Sequence, residues 1–420
     1  MKKIVFYVNH FGNGGVDRHI SNLANEFINR GYEISILVRG TILSNRLYKL
    51  DDRIMVLPLR ESHKGLHKLD RLNIRIMGIQ RNLRWLCLRA QQSFFEHMNR
   101  DSSETRKKRR SIEREKLIVK EYKQDNVHLL RYAKENRDSI FVFFSISVME
   151  QFCYITKSIN IKTVFAEARD PSRWTLNKDI MKTLLLEMNA CVVQTRAQEK
   201  SYTELLDNPK KINIIYNPMP EYDIKHDQLK NRKTKIVNFC RMDPAKNLFL
   251  LVDSFCKLHD EYPNYTLELF VIADYDAAIK LKEELINYCK SKAAGDYICV
   301  LPGEKNILEK IVDYSMFVSS SLHEGLSNSM LEAMTIGLPC VCTDCDGGGA
   351  REVIIDGENG ILVKSNDITA LYLGMKKIID NPQKSEEMGM QAMRIKEKTN
   401  IYAVATKWES IFEKLNCENN

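Results

Sequence analysis

Ile4-Val5-Phe6-Tyr7-Val8-Asn9-His10-Phe11-Gly12-Asn13-Gly14-Gly15-Val16-Asp17-Arg18 opens the chain, and its reading decides the fold. The unbroken apolar run Ile4–Val8 is the pattern of a parallel strand buried on both faces, not of a half-solvated one that alternates. Gly12, Gly14 and Gly15 interrupt it. Beyond them Val16, Ile20, Leu23, Ala24, Phe27 and Ile28 recur at helical spacing. Gly31 stands where a helix ends, and Tyr32–Val38 supplies the next strand. A β-loop-α-β unit at the start predicts a parallel sheet covered by helices.

The same logic returns in the second half. Strands are expected at Ile236–Cys240, Leu267–Ile272, Ile298–Val300, Met316–Val318 and Cys340–Cys342. Helices lie between them, one capped by Asn247 and one running from about Asn328 to Ile336. Asn217-Pro218-Met219-Pro220, followed by the charged stretch Glu221–Lys233, marks a boundary. The class is therefore α/β, with two facing Rossmann-like domains, each on a mostly parallel sheet. The first spans residues 1–218 and the second 234–395, with residues 396–420 as a C-terminal helical segment. Within that segment Ile401–Leu415 reads as one amphipathic helix. Ile140–Met149, the most apolar run, reads as a single buried strand.

Composition narrows the function classes. Hydrophobic residues are 44% and charged residues 28% of 420, as in an ordinary globular protein. No run approaches the roughly 18 apolar residues of a membrane-spanning helix. The apolar stretch at the start is too short for a secretory signal, and the eleven cysteines are scattered through apolar runs like small core residues. A reducing, cytoplasmic location is expected. The net charge is +8. Glu61–Asp125 holds 17 Lys/Arg and 9 Asp/Glu, so this segment alone accounts for 17 − 9 = +8. Within it Leu69, Leu72, Ile76, Ile79, Leu83 and Leu86 recur at three- and four-residue steps among arginines. An apolar helix face with a basic border suits an anionic membrane surface, and equally a helix packed on the sheet. No nucleic-acid motif accompanies the charge.

Chemistry concentrates in three places. In His323-Glu324-Gly325-Leu326-Ser327-Asn328-Ser329-Met330-Leu331-Glu332 a strand leads through a Gly/Ser loop into a helix. Free N–H groups and the positive end of a helix dipole then face the strand ends, where a diphosphate fits. Glu324 and Glu332 can each accept paired hydrogen bonds from vicinal hydroxyls. Arg241 and Lys246 flank the loop after Ile236–Cys240, where two cations can stabilise a departing diphosphate. Gly14 and Gly15 let backbone approach a ligand. They do not complete the Gly-x-Gly-x-x-Gly dinucleotide fingerprint, since residue 17 is Asp17. Cys340-x-Cys342-x-x-Cys345 lacks a fourth ligand nearby, so it reads as packing and no metal site is expected. His10 lies beside the glycine loop and can face the cleft or solvent.

Taken in order, these segments resemble the family-4 retaining glycosyltransferases of GT-B fold (the group 1 type). The likeness rests on Gly14-Gly15-Val16-Asp17-Arg18, Arg241-Met242-Asp243-Pro244-Ala245-Lys246-Asn247, and Glu324 with Glu332. It continues through Asp346-Gly347-Gly348-Gly349-Ala350-Arg351-Glu352-Val353-Ile354 and Asp356-Gly357-Glu358-Asn359-Gly360-Ile361-Leu362-Val363. The resemblance implies a nucleotide-diphosphate sugar as donor, a UDP-sugar ahead of a GDP-sugar, with no bound metal or other cofactor. It implies that Arg241 and Lys246 bind the diphosphate, Glu324 the sugar and Glu332 the ribose. Ser327, Asn328 and Ser329 would offer N–H groups to the phosphates, and Gly14 and Gly15 would close the far side. It also implies that the C-terminal helix crosses back to the first domain, and that the acceptor, a glycan or lipid-linked sugar, sits on that domain. A role in cell-surface polysaccharide synthesis at the inner membrane face follows from the same likeness.

The chain departs from the family pattern in places. Glu167-Ala168-Arg169-Asp170-Pro171 only partly matches a bacterial subgroup's Glu-Arg-Asn-Asp-Pro. Ala273-Asp274-Tyr275 replaces a glycine pair, and Ser145 and Ser147 stand where many members carry a histidine. A sugar-nucleotide epimerase or phosphorylase on the same architecture, or a non-catalytic anion- or nucleic-acid-binding protein, are the competing readings.

Overall fold

The computed structural model describes residues 2–12, 14–43, 48–60, 113–114, 117–118, 123–157, 159–166, 178–206, 211–222, 230 and 232–417. Two parallel sheets organise them. The first contains β1 (Lys3–Val8), β2 (Glu33–Val38), β3 (Met55–Pro58), β4 (Ile140–Phe143), β5 (Lys162–Ala166), β6 (Ala190–Val193) and β7 (Ile212–Ile214). Its spatial order is β3-β2-β1-β4-β5-β6-β7. The second contains β8 (Lys233–Arg241), β9 (Thr266–Ile272), β10 (Ile298–Pro302), β11 (Tyr314–Ser319), β12 (Cys340–Asp344) and β13 (Ile361–Lys364), in the order β10-β9-β8-β11-β12-β13.

Both sheets share one plan. The first strand lies mid-sheet, the next strands extend to one side, and the chain then crosses to the other. The reversal falls between β1 and β4 in the first sheet and between β8 and β11 in the second. In open α/β sheets the crevice beyond the strand ends at such a reversal is where ligands bind. This is an α/β architecture with two Rossmann-like units.

The apolar runs explain the burial. Ile4, Phe6 and Val8 face one layer with Ile20, Leu23, Ala24 and Phe27 of the Gly15–Asn29 helix. Val5 and Tyr7 face the opposite layer with Phe141, Phe143 and Phe152. The Ile401–Cys417 helix packs with the first group: Val404, Ala405, Trp408, Ile411 and Phe412 are buried there. Arg30 donates to Glu409 at 2.9 Å and to the Tyr402 carbonyl at 2.9 Å, and Tyr32 donates to Glu409 at 2.9 Å. The last helix thus completes the core of the first sheet.

One expectation is corrected. Ile140–Met149 is not a single strand: β4 stops at Phe143, and a helix, Ile146–Thr156, follows from Ser145. Val148, Met149 and Phe152 of that helix are as buried as β4 itself. An apolar run with no period therefore covers two elements, because burial on all sides removes the pattern that would separate them. Asn247 does precede a helix, Leu248–His259. It sits in the left-handed region at φ 50° and its side chain makes no capping bond. Most of the basic segment 61–125, and all of Glu167–Pro171, lie outside the described residues. Among the described residues no helix is long and apolar enough to cross a membrane.

Candidate active site

The two reversal crevices face each other, and between them lies a cavity of about 370 Å³. Seven residues singled out from sequence line it: Gly15, Arg241, Lys246, Glu324, Ser327, Asn328 and Ser329. Gly14 and Glu332 sit immediately behind this lining, the first beside Arg241 and the second in the interdomain seam.

Gly14 precedes the Gly15–Asn29 helix, and Asp17 turns back to accept its N–H at 2.7 Å. Burial raises the Asp17 carboxyl above its usual range, against the lowering pull of the Gly14 and Gly12 N–H groups and of Arg241. Gly14 and Gly15 lie close to the second domain. A Cβ on Gly15 would come within 2.9 Å of Asn328 Nδ2, and one on Gly14 within 3.4 Å of an Arg241 Nη. The loop of the first domain is thus pressed against the helix start and the cation of the second.

On the second domain, Arg241 ends β8. The next turn is held by Asp243, whose Oδ1 accepts the Ala245 N–H at 2.8 Å. Lys246 follows and forms an ion pair with Glu324. Burial opposes the lysine's charge, but the Glu324 carboxylate outweighs it and holds the ammonium above its usual pKa. Glu324 also receives the Ser321 hydroxyl at 3.3 Å, and its N–H donates to the Asp346 carbonyl at 3.0 Å. Ser327 caps the Asn328–Thr335 helix by accepting the Met330 N–H. The loop Asp346–Ala350 closes on this turn. A Cβ on Gly349 would sit 1.6 Å from the Gly325 carbonyl oxygen, so residue 349 must be glycine for the two backbones to meet.

Glu332 is buried and forms an ion pair with Arg18 of the first domain. Burial raises its pKa, against the pull of Arg18. This carboxylate is thus already matched by a guanidinium from the first domain. Further ties join the domains: Asn217 Nδ2 to Asn328 Oδ1 at 2.7 Å, Tyr216 to Glu352 at 2.9 Å and the Arg196 N–H to Glu352 at 2.8 Å.

Sequence reasoning missed the residues that form the opposite wall: His19, Phe144, Gln194, Asn217 and Trp408. His19 had a visible signal, a polar residue on the apolar face defined by Val16, Ile20 and Leu23. Trp408, on the apolar stripe of the last helix, reads only as core. His10 is exposed and its Nδ1 accepts the Thr41 N–H at 3.1 Å, away from the cavity. Cys340 and Cys342 are buried within β12.

Two cations, a helix start capped by Ser327 and an apposed glycine loop are of the kind that can hold a diphosphate. Comparison with known proteins bears on the fold and on the second domain. Residues 221–394 match the family model of group 1 glycosyl transferases. That match covers the second domain and not the first. Over its whole length the chain is 23% identical to an uncharacterized glycosyltransferase of Haemophilus influenzae, covering 98% of this chain and 100% of that one. It is 27% identical, across 41% of this chain and 46% of the relative, to a Campylobacter jejuni N-acetylgalactosaminyltransferase. That relative's name gives a diphospho-undecaprenol-linked substrate. Among solved structures, a Staphylococcus aureus TarM mutant crystallised with fondaparinux, α-GlcNAc-glycerol and UDP superposes with a TM-score of 0.70. Identity is 15%, with 98% of this chain and 100% of that one covered. Anabaena HepE with UDP-glucose gives 0.68 at 15% identity, covering 99% and 100%. At these identities the structures show a shared GT-B fold and nothing beyond it.

Proposed function

We propose that this glycosyltransferase moves a sugar from a nucleotide-diphosphate donor, with a UDP-sugar preferred, to a glycan or lipid-linked acceptor, with retention at the anomeric carbon and without a metal. The observation that carries this reading is the convergence of Arg241, Lys246 and Glu324 with the Ser327–Ser329 helix start in one cavity. In this reading Arg241 and Lys246 take up the charge that grows on the leaving diphosphate, the electrostatic work a metal does elsewhere. Glu324, which pairs with Lys246, contacts the donor sugar. The ribose takes Glu332, displacing Arg18. Gly14 and Gly15 close over the phosphates. One relative's name gives a diphospho-undecaprenol-linked substrate, which supports a lipid-linked acceptor. A cell-surface glycan as product, and a cytoplasmic enzyme held at the inner membrane face by the basic segment, belong to the same proposal.

The test uses UDP-GlcNAc, UDP-GalNAc and UDP-glucose with EDTA present. Turnover of at least one, with the donor's anomeric configuration kept in the product by NMR, is expected. An inverted product, or activity that EDTA abolishes, overturns the retaining, metal-free reading.

A further inference from the structure

The cavity wall formed by the first domain and the returning helix holds two buried polar atoms that the donor does not explain. His19 projects from the Gly15–Asn29 helix and is buried; its Nδ1 lies 2.5 Å from Asn217 Oδ1. That oxygen also accepts the Gln194 amide at 2.5 Å, while Asn217 Nδ2 donates to Asn328. A carbonyl oxygen only accepts, so Nδ1 carries the hydrogen and Nε2 presents a bare lone pair. Burial lowers the His19 pKa to about 4, so the ring stays neutral near pH 7.

Trp408 is fully buried and its Nε1–H can only donate. Among the described residues neither His19 Nε2 nor Trp408 Nε1 has a hydrogen-bond partner. The two rings meet edge to face, with centroids 6.4 Å apart at 90°. Phe144 packs on both rings, at 5.2 and 6.1 Å, and all three residues line the cavity.

An unpaired acceptor and an unpaired donor, in a wall whose other polar groups, Gln194 and Asn217, are already hydrogen-bonded, are complementary to one kind of group. A hydroxyl donates and accepts through a single oxygen. A carboxylate or phosphate would set its lone pairs against Nε2, and an ammonium would set its hydrogens against the indole N–H. We propose that His19 Nε2 and Trp408 Nε1 clasp one hydroxyl of the pyranoside that receives the transferred sugar, with Phe144 against the apolar face of its ring. His19 and Trp408 are then positioning and specificity residues for a neutral sugar acceptor. The inference rests on the glycosyl-transfer reading above and adds where the acceptor is gripped.

The test is an NMR titration of the 15N-labelled full chain saturated with UDP. The Trp408 indole N–H signal is assigned by its loss in Trp408→Phe. The probes are the methyl glycosides of glucose, galactose, N-acetylglucosamine and N-acetylgalactosamine, each beside its fully O-methylated counterpart, which has no O–H. At least one glycoside should move the indole proton downfield and saturably, and its O-methylated partner should not. His19→Phe should weaken that glycoside about fivefold, the worth of one hydrogen bond, and His19→Gln, which keeps an acceptor, should recover part of it. If His19→Phe does not fold, the paired probes on the wild-type chain decide. An indole signal unmoved by all four glycosides, or moved equally by the O-methylated ones, overturns the proposal and marks the two nitrogens as a water site. UDP binding is read separately on the Ser327–Ser329 amides. Their failure to respond to UDP would sink the donor reading instead.

Discussion

The two sheets follow the same strand order around their reversal points, yet the cleft edges they present are chemically opposite. The edge at β8 and β11 is charged and built from backbone: Arg241, Lys246 paired with Glu324, and the capped start of the Asn328–Thr335 helix. The edge at β1 and β4 is aromatic and uncharged: His19, Phe144 and, from the last helix, Trp408. One plan thus serves two tasks, because the plan fixes only where a crevice opens and the loops decide what it holds. On the proposed reading, anion chemistry belongs to the second domain and the grip on the acceptor's sugar face to the first.

That division can be broken most sharply on the charged side. Arg241→Ala should lower turnover with UDP-sugars by about 10²–10³, the usual loss when one preorganised charge stabiliser is removed, with little change in melting temperature. Lys246→Ala should do the same, with some added destabilisation because Glu324 loses its partner. Steady-state rates beside thermal melts check both; near-wild-type turnover in both variants removes them from the reaction.

The aromatic side should instead announce itself in stability against pH. His19 has its pKa depressed on folding, from an ordinary 6.5 to about 4. The unfolded chain therefore binds more protons than the folded one between those values, so stability falls as pH drops from about 6.5 towards 4. It changes no further below, where both states are protonated. The loss can reach about 3 kcal/mol. Urea midpoints measured across that window should drop in the wild type and flatten in His19→Gln. An equally steep drop in the variant would show that other groups carry it. Glu332 acts with the opposite sign, since its pKa is raised, so the comparison must be made between variants and not from the wild-type curve alone.

A third contrast separates the glycines on the two edges. Gly349→Ala meets the Gly325 carbonyl, which cannot yield, and should cost about 2–3 kcal/mol. Gly15→Ala meets only the end of the Asn328 side chain, which can swing aside. It should leave stability nearly intact while weakening UDP binding by crowding the cleft. Paired denaturation and UDP titration curves distinguish the two; equal stability losses would erase the contrast.

The smallest expected effect concerns the basic segment. Sedimentation with anionic liposomes should capture the chain at low salt and release it at high salt, with neutral liposomes capturing little. Equal binding to both liposome types, or none, defeats the membrane reading and leaves the glycosyltransferase untouched.

The contrast between the edges also explains what sequence could reveal. Gly14, Gly15, Arg241, Lys246, Glu324 and the Ser327–Ser329 turn were legible because each answers a local demand: a loop after a strand, a cap, a backbone approach. His19, Asn217 and Trp408 meet across more than 180 residues of chain, and two of them lie on faces whose spacing already reads as core. Tertiary packing, not local pattern, gives them their setting. The fold was legible for a related reason, since buried parallel strands write unbroken apolar runs. The one misread run, Ile140–Met149, failed where that signal is weakest, at a junction buried on both sides.

The return of the Ile401–Cys417 helix to the first sheet has a consequence in time. Trp408 fills the core of a domain whose first strand begins at Lys3. During synthesis domains tend to fold as units, N-terminal first. Here the first of the two domains lacks a central aromatic until residue 408 has been made, after the whole of the second domain. The opening domain must wait, incompletely packed, for the chain's last helix. A premature stop just ahead of that helix would leave its apolar seam uncovered and hand the product to chaperones and proteases.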